Sequence, residues 1–282
     1  MSARQSWRSF ALALSRVAWI WAILHAPAVR FVLQKLPGFR TLYRSEFNRL
    51  HPFDLSHGTD TSGVVGSNEL PASKCTSETT HFYWGSQPSV ARSALATLPS
   101  CETFTFIDLG CGKGRPLLVA SEFPFRDIIG VELSPTLVEI ARANSAIIEK
   151  RYPGRTHIHV EVGDAGAYRL PPGNIVIFLY NPFGEGIMLK LVAALEAALA
   201  NERRSIFVIY QNPVFGACFD TSASLKRYFA ANVRYAREER GFGPDITDAV
   251  VVWQSGNLPP YNLSANARIM VARPGHRAEL AV

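Results

Sequence analysis

No two cysteines in this 282-residue chain stand at C-x-x-C spacing. The four present (Cys75, Cys101, Cys111 and Cys218) are scattered, and no histidine cluster lies beside them. A disulfide-stapled scaffold and a Cys/His metal site are thereby excluded, so no metal is expected, and a reducing compartment is implied. Charge is sparse as well: 18% of residues are charged against 48% hydrophobic, enough to bury a proper core in one large or two small domains. Acids are almost missing from the first 50 residues. Arg4, Arg8, Arg16, Arg30, Lys35, Arg40, Arg44 and Arg49 face Glu46 alone, a net +7, while the rest of the chain balances to −1. The overall +6 therefore belongs to the N-terminal segment. A nucleic-acid-binding face on the remaining domain loses support, because it would need basic residues clustered there.

Long hydrophobic runs are absent from that basic segment. Val17 to Val29 carries no charge, but it spans 13 residues and includes His25 and Pro27, short of the ~20 apolar residues of a membrane-spanning helix. Ala26-Pro27-Ala28 resembles a signal cleavage site, yet Arg16 interrupts the apolar stretch. Trp7, Phe10, Ala11, Leu14, Val17, Ala18, Trp21 and Leu24 recur at helical spacing, followed by a second amphipathic piece from Val29 to Leu36. Two readings stand: a basic helix lying on an anionic membrane surface through residues 1–36, or an extension packed on the domain. Apolar stripes more often belong to a core, which favours the second. The expected organisation is an extension over 1–53, a Ser-, Thr- and Gly-rich linker or lid over 54–80, and one domain over 81–282.

What the chain does have is a glycine turn. Phe106-Ile107-Asp108-Leu109-Gly110-Cys111-Gly112-Lys113-Gly114-Arg115-Pro116 reads as a strand, a tight turn and a helix start. Free backbone N–H groups at such a start suit a ligand with negative charge. A dinucleotide fingerprint is G-x-G-x-x-G. Here the spacing is G-x-G-x-G, and Arg115 stands where the third dinucleotide glycine belongs.

Beyond the turn, helix and strand patterns alternate. Strands are expected over Phe104–Asp108, Asp127–Glu132, His157–Val162, Ile175–Leu179 and Ser205–Tyr210. Helices are expected over Ser89–Leu98, Pro116–Glu122, from a Ser134 cap to about Lys150, over Gly186–Ala200 and over Ser222–Ala230. Asn232–Arg237 and Ala249–Gln254 suit a closing hairpin. That order predicts an α/β fold: a doubly wound, mostly parallel seven-stranded sheet with helices on both faces and a late antiparallel hairpin.

The stretch D-L-G-C-G-x-G resembles the first motif of class I S-adenosylmethionine (SAM) dependent methyltransferases, and the strand order over about 85–255 suits their Rossmann-like fold. The resemblance implies SAM as cofactor, held around Asp108, Gly110, Cys111, Gly112 and Gly114. Glu132, ending the second strand, would accept from the ribose hydroxyls. Asp164 would accept from the adenine amino group, with the Ala165 N–H facing a ring nitrogen. Asn181-Pro182-Phe183-Gly184, after the fourth strand, resembles the (Asp/Asn)-Pro-Pro-(Tyr/Phe) motif of amino-group methyltransferases with one proline missing. Asn181, at the cofactor's edge, would orient an acceptor N–H, and Phe183 would stack on a planar or cationic group. Asn212-Pro213-Val214-Phe215 and the aromatic run His81-Phe82-Tyr83-Trp84 would border the same pocket. The implied activity is methyl transfer, with a nitrogen acceptor on a protein side chain or small amine favoured over nucleic acid, in the cytoplasm. The alternatives are an NAD(P)-dependent oxidoreductase and a noncatalytic SAM-binding or membrane-associated partner module.

Overall fold

The computed structural model describes residues 50–65, 83–180, 183–243, 246–261, 268–273 and 276–281. The expected amphipathic helix of the first 49 residues lies outside them.

Seven strands form the main sheet: β3 (Phe104–Leu109), β4 (Asp127–Glu132), β5 (Ile158–Val162), β6 (Asn174–Tyr180), β7 (Ile206–Gln211), β8 (Lys226–Arg234) and β9 (Thr247–Gln254). Their order across the sheet is β5-β4-β3-β6-β7-β9-β8, with β9 antiparallel to both neighbours and the other adjacent pairs parallel. The fold class read from the sequence is therefore the one observed. Strands buried on both faces carry apolar side chains at successive positions, and two cores result. Phe106, Val176, Phe178, Phe207, Ile209 and Val252 face one side, under α2 (Pro88–Leu95), α3 (Arg115–Ala120) and α4 (Pro135–Arg151). Ile107, Leu109, Ile177, Val208, Tyr210 and Trp253 face the other, under α5 (Glu185–Asn201) and the short α6 (Ala217–Asp220). Ser134 caps α4 by accepting from the Leu137 N–H at 3.4 Å, as its place before Pro135 predicts.

The chain runs outward from β3 to β4 and β5, then returns to β6 on the other side of β3. The loops after β3 and β6 consequently diverge, and a crevice opens between them at the carboxyl edge of the sheet. Both motifs singled out in the sequence fall on those two loops.

Two expectations are corrected. The helix expected over Ser222–Ala230 does not form: Lys226–Ala230 is instead the start of β8. A register irregularity between Arg227 and Phe229 lets Tyr228 and Phe229, adjacent in sequence, both enter the same core. The bulge breaks the alternation by which a strand is recognised, and pairing with β9 overrides the local helical pattern. The linker expected from Asp54 begins inside a helix, α1 (Pro52–His57), and its residues as far as Gly63 are tied to the domain. Val64–Val65 (β1) then pairs antiparallel with Tyr83–Trp84 (β2). A C-terminal hairpin, β10 (Arg268–Arg273) and β11 (His276–Ala281), sets Ile269 and Val271 into the second core. Among the described residues, no helix is long and apolar enough to cross a membrane.

Gly130, in the middle of β4, leaves no room for a side chain: a Cβ there would lie 2.9 Å from Cys111 Sγ and closer still to Leu117 Cδ1. Gly130→Val is expected to lower stability by about 1–3 kcal/mol through overpacking. Gly154→Ala, with nothing within 4 Å, should stay within about 0.5 kcal/mol of the parent. Urea denaturation checks both, and equal effects would refute this packing account.

Candidate cofactor site

The turn after β3 is built on left-handed backbone. Gly110, Gly112 and Gly114 have φ of +83°, +54° and +84°, values that L side chains adopt only with strain. The Gly110 and Cys111 N–H groups both donate to Val131 O, at 2.8 and 3.1 Å, which fixes the turn to the end of β4. Gly114 N donates to Cys111 O at 2.8 Å and closes the loop against α3. A Cβ on Gly114 would lie 3.2 Å from Ala141 Cβ on α4. The alternate-glycine spacing is thus what this backbone path requires.

Two acids face the turn. Glu132, ending β4, accepts from Gly112 N through Oε2 and from Ser134 N through Oε1, both at 2.9 Å. Asp108 is 2% exposed, and its Oδ2 has no hydrogen-bond partner among the described residues. Burial, and then the Glu132 charge, pushes the Asp108 carboxyl well above the usual carboxylate range, and burial raises Glu132 too. An unpaired buried carboxylate oxygen is costly. Two acceptor groups at one glycine turn suit a ligand that brings donors, such as an ammonium and the hydroxyls of a ribose. SAM carries both, so the residues fit it. Cys111 is buried in the first core, and burial first, then Asp108 and Glu132, raises its thiol far above the ordinary value.

The third expected contact lies on the loop after β5. Gly163 N donates to Glu132 O at 3.0 Å, holding that loop beside the acid. Asp164 is exposed and caps a single 3-10 turn, Ala165–Ala167, by accepting from Gly166 N at 2.8 Å. One of its oxygens therefore does turn duty, and a carboxylate has a second to offer an adenine amino group. Ala165 is half-buried. A Cβ on Gly166 would lie 3.1 Å from Ile187 Cγ2, so this turn meets the first turn of α5, directly after the β6 loop. Phe183, in that loop, is half-buried and packs against the second core. Asn181 and Pro182 lie outside the described residues. At the end of the next strand Asn212 holds φ +51°, the one left-handed non-glycine residue among those described. Buried Gln211 beside it accepts from Ser86 Oγ and donates to Asp248 Oδ2 at 2.6 Å.

The largest feature missed in the sequence is the clamp on the far side of the turn. Arg115 is 3% exposed. Its guanidinium donates to Thr61 Oγ1 (2.7 Å), Thr61 O (2.7 Å), Gly85 O (3.2 Å) and Ser86 O (3.1 Å). Thr61 in turn donates to Asp54 Oδ1, which also accepts from Thr59. Burial works to raise Asp54, but its bonds from Ser62, Thr61 and Thr59 and the Arg115 charge hold it below the usual carboxylate range. Lys113, inside the motif, donates to Asp60 Oδ1 (2.9 Å) and Ser62 O (2.7 Å). Asn144 on α4 holds Asp60 from both sides. The first part of the run read as a linker, up to Ser62, is therefore a strap locked by the two cations of the glycine motif, while 66–80 lie outside the described residues. Its only sequence signal was two basic residues inside an otherwise small, apolar turn. The described residues hold no group of three or more His, Cys, Asp or Glu able to bind a metal.

No family model matches the sequence, and no curated protein matches it. Among solved structures, a SAM-dependent methyltransferase from Leishmania major is 15% identical over 59% of this chain and 70% of its own, at a TM-score of 0.43. An RNA methyltransferase from Salinibacter ruber, in complex with S-adenosyl-L-homocysteine, is 17% identical over 62% of this chain and 95% of its own, at 0.39. A 23S rRNA methyltransferase is 14% identical over 65% and 73%, at 0.40. At these TM-scores the matches add no weight to the site described above.

Replacing Arg115 by Met leaves three buried carbonyls without their donor. The expected cost is about 2–4 kcal/mol, with faster proteolytic cleavage within residues 50–63. Unchanged stability and cleavage would show that the strap is held by other means. A second test uses His51, whose Nδ1 accepts from Phe53 N and whose Nε2 bonds Gln87 Oε1 at 2.9 Å. Burial, then the Arg115 charge, lowers its pKa from 6.5 to about 4, against the opposing pull of Gln87 and Asp54. Between those values the unfolded chain binds the extra proton, so His51's contribution is present above pH 6.5 and is lost as the pH falls towards 4. Urea midpoints across that range should fall more steeply for the parent than for His51→Asn.

Proposed function

We propose that this protein is a class I SAM-dependent methyltransferase acting on a nitrogen nucleophile of a protein side chain or small amine. The observation that carries this reading is the turn itself. Three left-handed glycines at alternate positions run beneath Glu132 and the unpartnered Asp108 oxygen, at the switch point of a β5-β4-β3-β6-β7-β9-β8 sheet. The dinucleotide alternative loses its third glycine to Arg115, whose guanidinium is consumed in the strap.

When bound, SAM supplies a methyl group already made electrophilic by its cationic sulfur. The chain's own task is then binding, orientation and the exclusion of water. Asp108 and Glu132 receive donors of the methionine and ribose parts. Asp164 would accept from the adenine amino group, and the Ala165 N–H would donate to a ring nitrogen. Acceptor placement falls to the loop after β6, where Asn181 takes an N–H of the incoming amine and leaves its lone pair directed at the methyl. Phe183 flanks a planar or cationic acceptor. Because the methyl donor carries its own activation, no metal is called for. Buried thiols at Cys101, Cys111 and Cys218, all unpaired, suit a cytoplasmic enzyme.

Calorimetric titration of the full chain with SAM, S-adenosylhomocysteine and NAD tests the reading. The first two are expected to bind and NAD is not; binding of NAD alone would overturn it. Glu132→Gln should weaken SAM about 10- to 100-fold. Asn181→Ala should keep SAM affinity and lower turnover about 100-fold, once the acceptor is found by tritium transfer from labelled SAM to fractionated extract. Undiminished turnover would remove Asn181 from the mechanism.

A further inference from the structure

The strap begins beside the last turns of α4. There α1 lies along the last turns of α4: Arg151 Nη1 donates to Ser56 O at 2.5 Å, and Asn144, two turns earlier, holds Asp60. Between those two anchors Ile147 is 38% exposed, and on α1's side Leu55 is 69% and Leu50 49% exposed. Three large apolar side chains open to water around one short helix call for an explanation. Cations surround them. Lys150 and Arg151 are exposed, and the Arg155 guanidinium lies 3.9 Å from the centre of the Tyr152 ring, which also faces Arg151 at 5.5 Å. The neighbouring acids are otherwise engaged: Glu149 with His157 and Ile158 N, Asp60 with Lys113, Glu139 with Arg142, and Asp54 inside the strap. The flank therefore presents apolar side chains with a positive rim.

We propose that this flank docks the protein peripherally on an anionic lipid surface. Leucines within a ring of Lys and Arg match the boundary between acyl chains and acidic headgroups, where each cation contributes about 1 kcal/mol. The part of the chain that enters the flank has the same character. The 49 residues before Leu50 carry eight basic residues and one acid, together with Trp7, Phe10, Trp19 and Trp21, and they join the domain at Leu50 itself. A single weak membrane signal gives only marginal binding, whereas two in one chain give stable attachment. Glu132 of the cofactor site stands just before the N-terminal end of α4, whereas Lys150 and Arg151 of the flank end that helix. The proposal is independent of the methyl-transfer reading.

The test is flotation of the full-length chain with vesicles of phosphatidylcholine, with and without phosphatidylserine. Co-flotation is expected only with phosphatidylserine and should weaken in high salt. Leu55→Glu combined with Lys150→Glu should lower partitioning about tenfold or more. Leu189→Glu, on exposed α5 surface elsewhere, should leave it unchanged, and both variants should melt within a few degrees of the parent. Absence of binding by the parent, equal binding to neutral vesicles, or a double variant that partitions like the parent would each overturn the proposal. So would light scattering that shows a dimer dissociated by the double variant without any lipid binding, since a second copy would then cover the flank.

Discussion

A guanidinium has five N–H donors in a fixed plane and keeps its charge under any accessible condition. Arg115 uses that geometry at a point where three separate pieces of chain converge: the glycine turn that carries it, Thr61 of the strap, and Gly85–Ser86 at the end of the β1–β2 ribbon. Gly85 has no Cβ because one would sit 2.7 Å from the guanidinium carbon. Burying this cation is tolerable only because Asp54, one hydroxyl away through Thr61, stays ionised beside it. The strap, the turn and the ribbon therefore form one electrostatic unit.

That unit holds the glycine turn from its outer side. The carboxylate of Glu132 takes the Gly112 N–H, the end of β4 takes two more N–H groups, and the cations at 113 and 115 hold the outer side. Among the described residues around the turn, one oxygen of Asp108 remains without a hydrogen-bond partner. Preorganisation of this kind concentrates the unmet hydrogen bonding at the place where a ligand can meet it. The end of β7 and the start of β9 are joined differently: there Ser86, Gln211 and Asp248 form a buried polar chain. The ribbon end thus bonds in two directions, through Gly85 and Ser86 to Arg115 and through Ser86 to Gln211.

Strands that lie inside a doubly covered sheet were legible, because burial on both faces demands continuous apolar runs such as Phe104–Leu109 and Asn174–Tyr180. The expected second strand, Asp127–Glu132, has the observed bounds. Glu132, read at the end of the second strand, bonds the glycine turn, and Asp164 lies in the loop after β5, where it caps a single turn. Of β8, only its end was legible: the strand expected over Asn232–Arg237 overlaps it at 232–234 and pairs with β9 as the expected closing hairpin, while its first half was read as helix. Its consecutive aromatics, Tyr228 and Phe229, make sense only when a bulge opposite β9 turns both to one core.

The sequence by itself determined the inner strands of the sheet and the left-handed turn, since glycine spacing and apolar runs act through local backbone sterics and burial. Only the tertiary structure decided what surrounds that turn. A polar segment such as 54–63 has no periodicity to announce it; its fate depends on partners far along the chain, Arg115, Lys113 and Asn144. Ion pairs and hydrogen bonds between distant residues leave no periodic mark in the sequence, so the strap became visible only when the fold brought its acids and hydroxyls to the cations of the glycine motif.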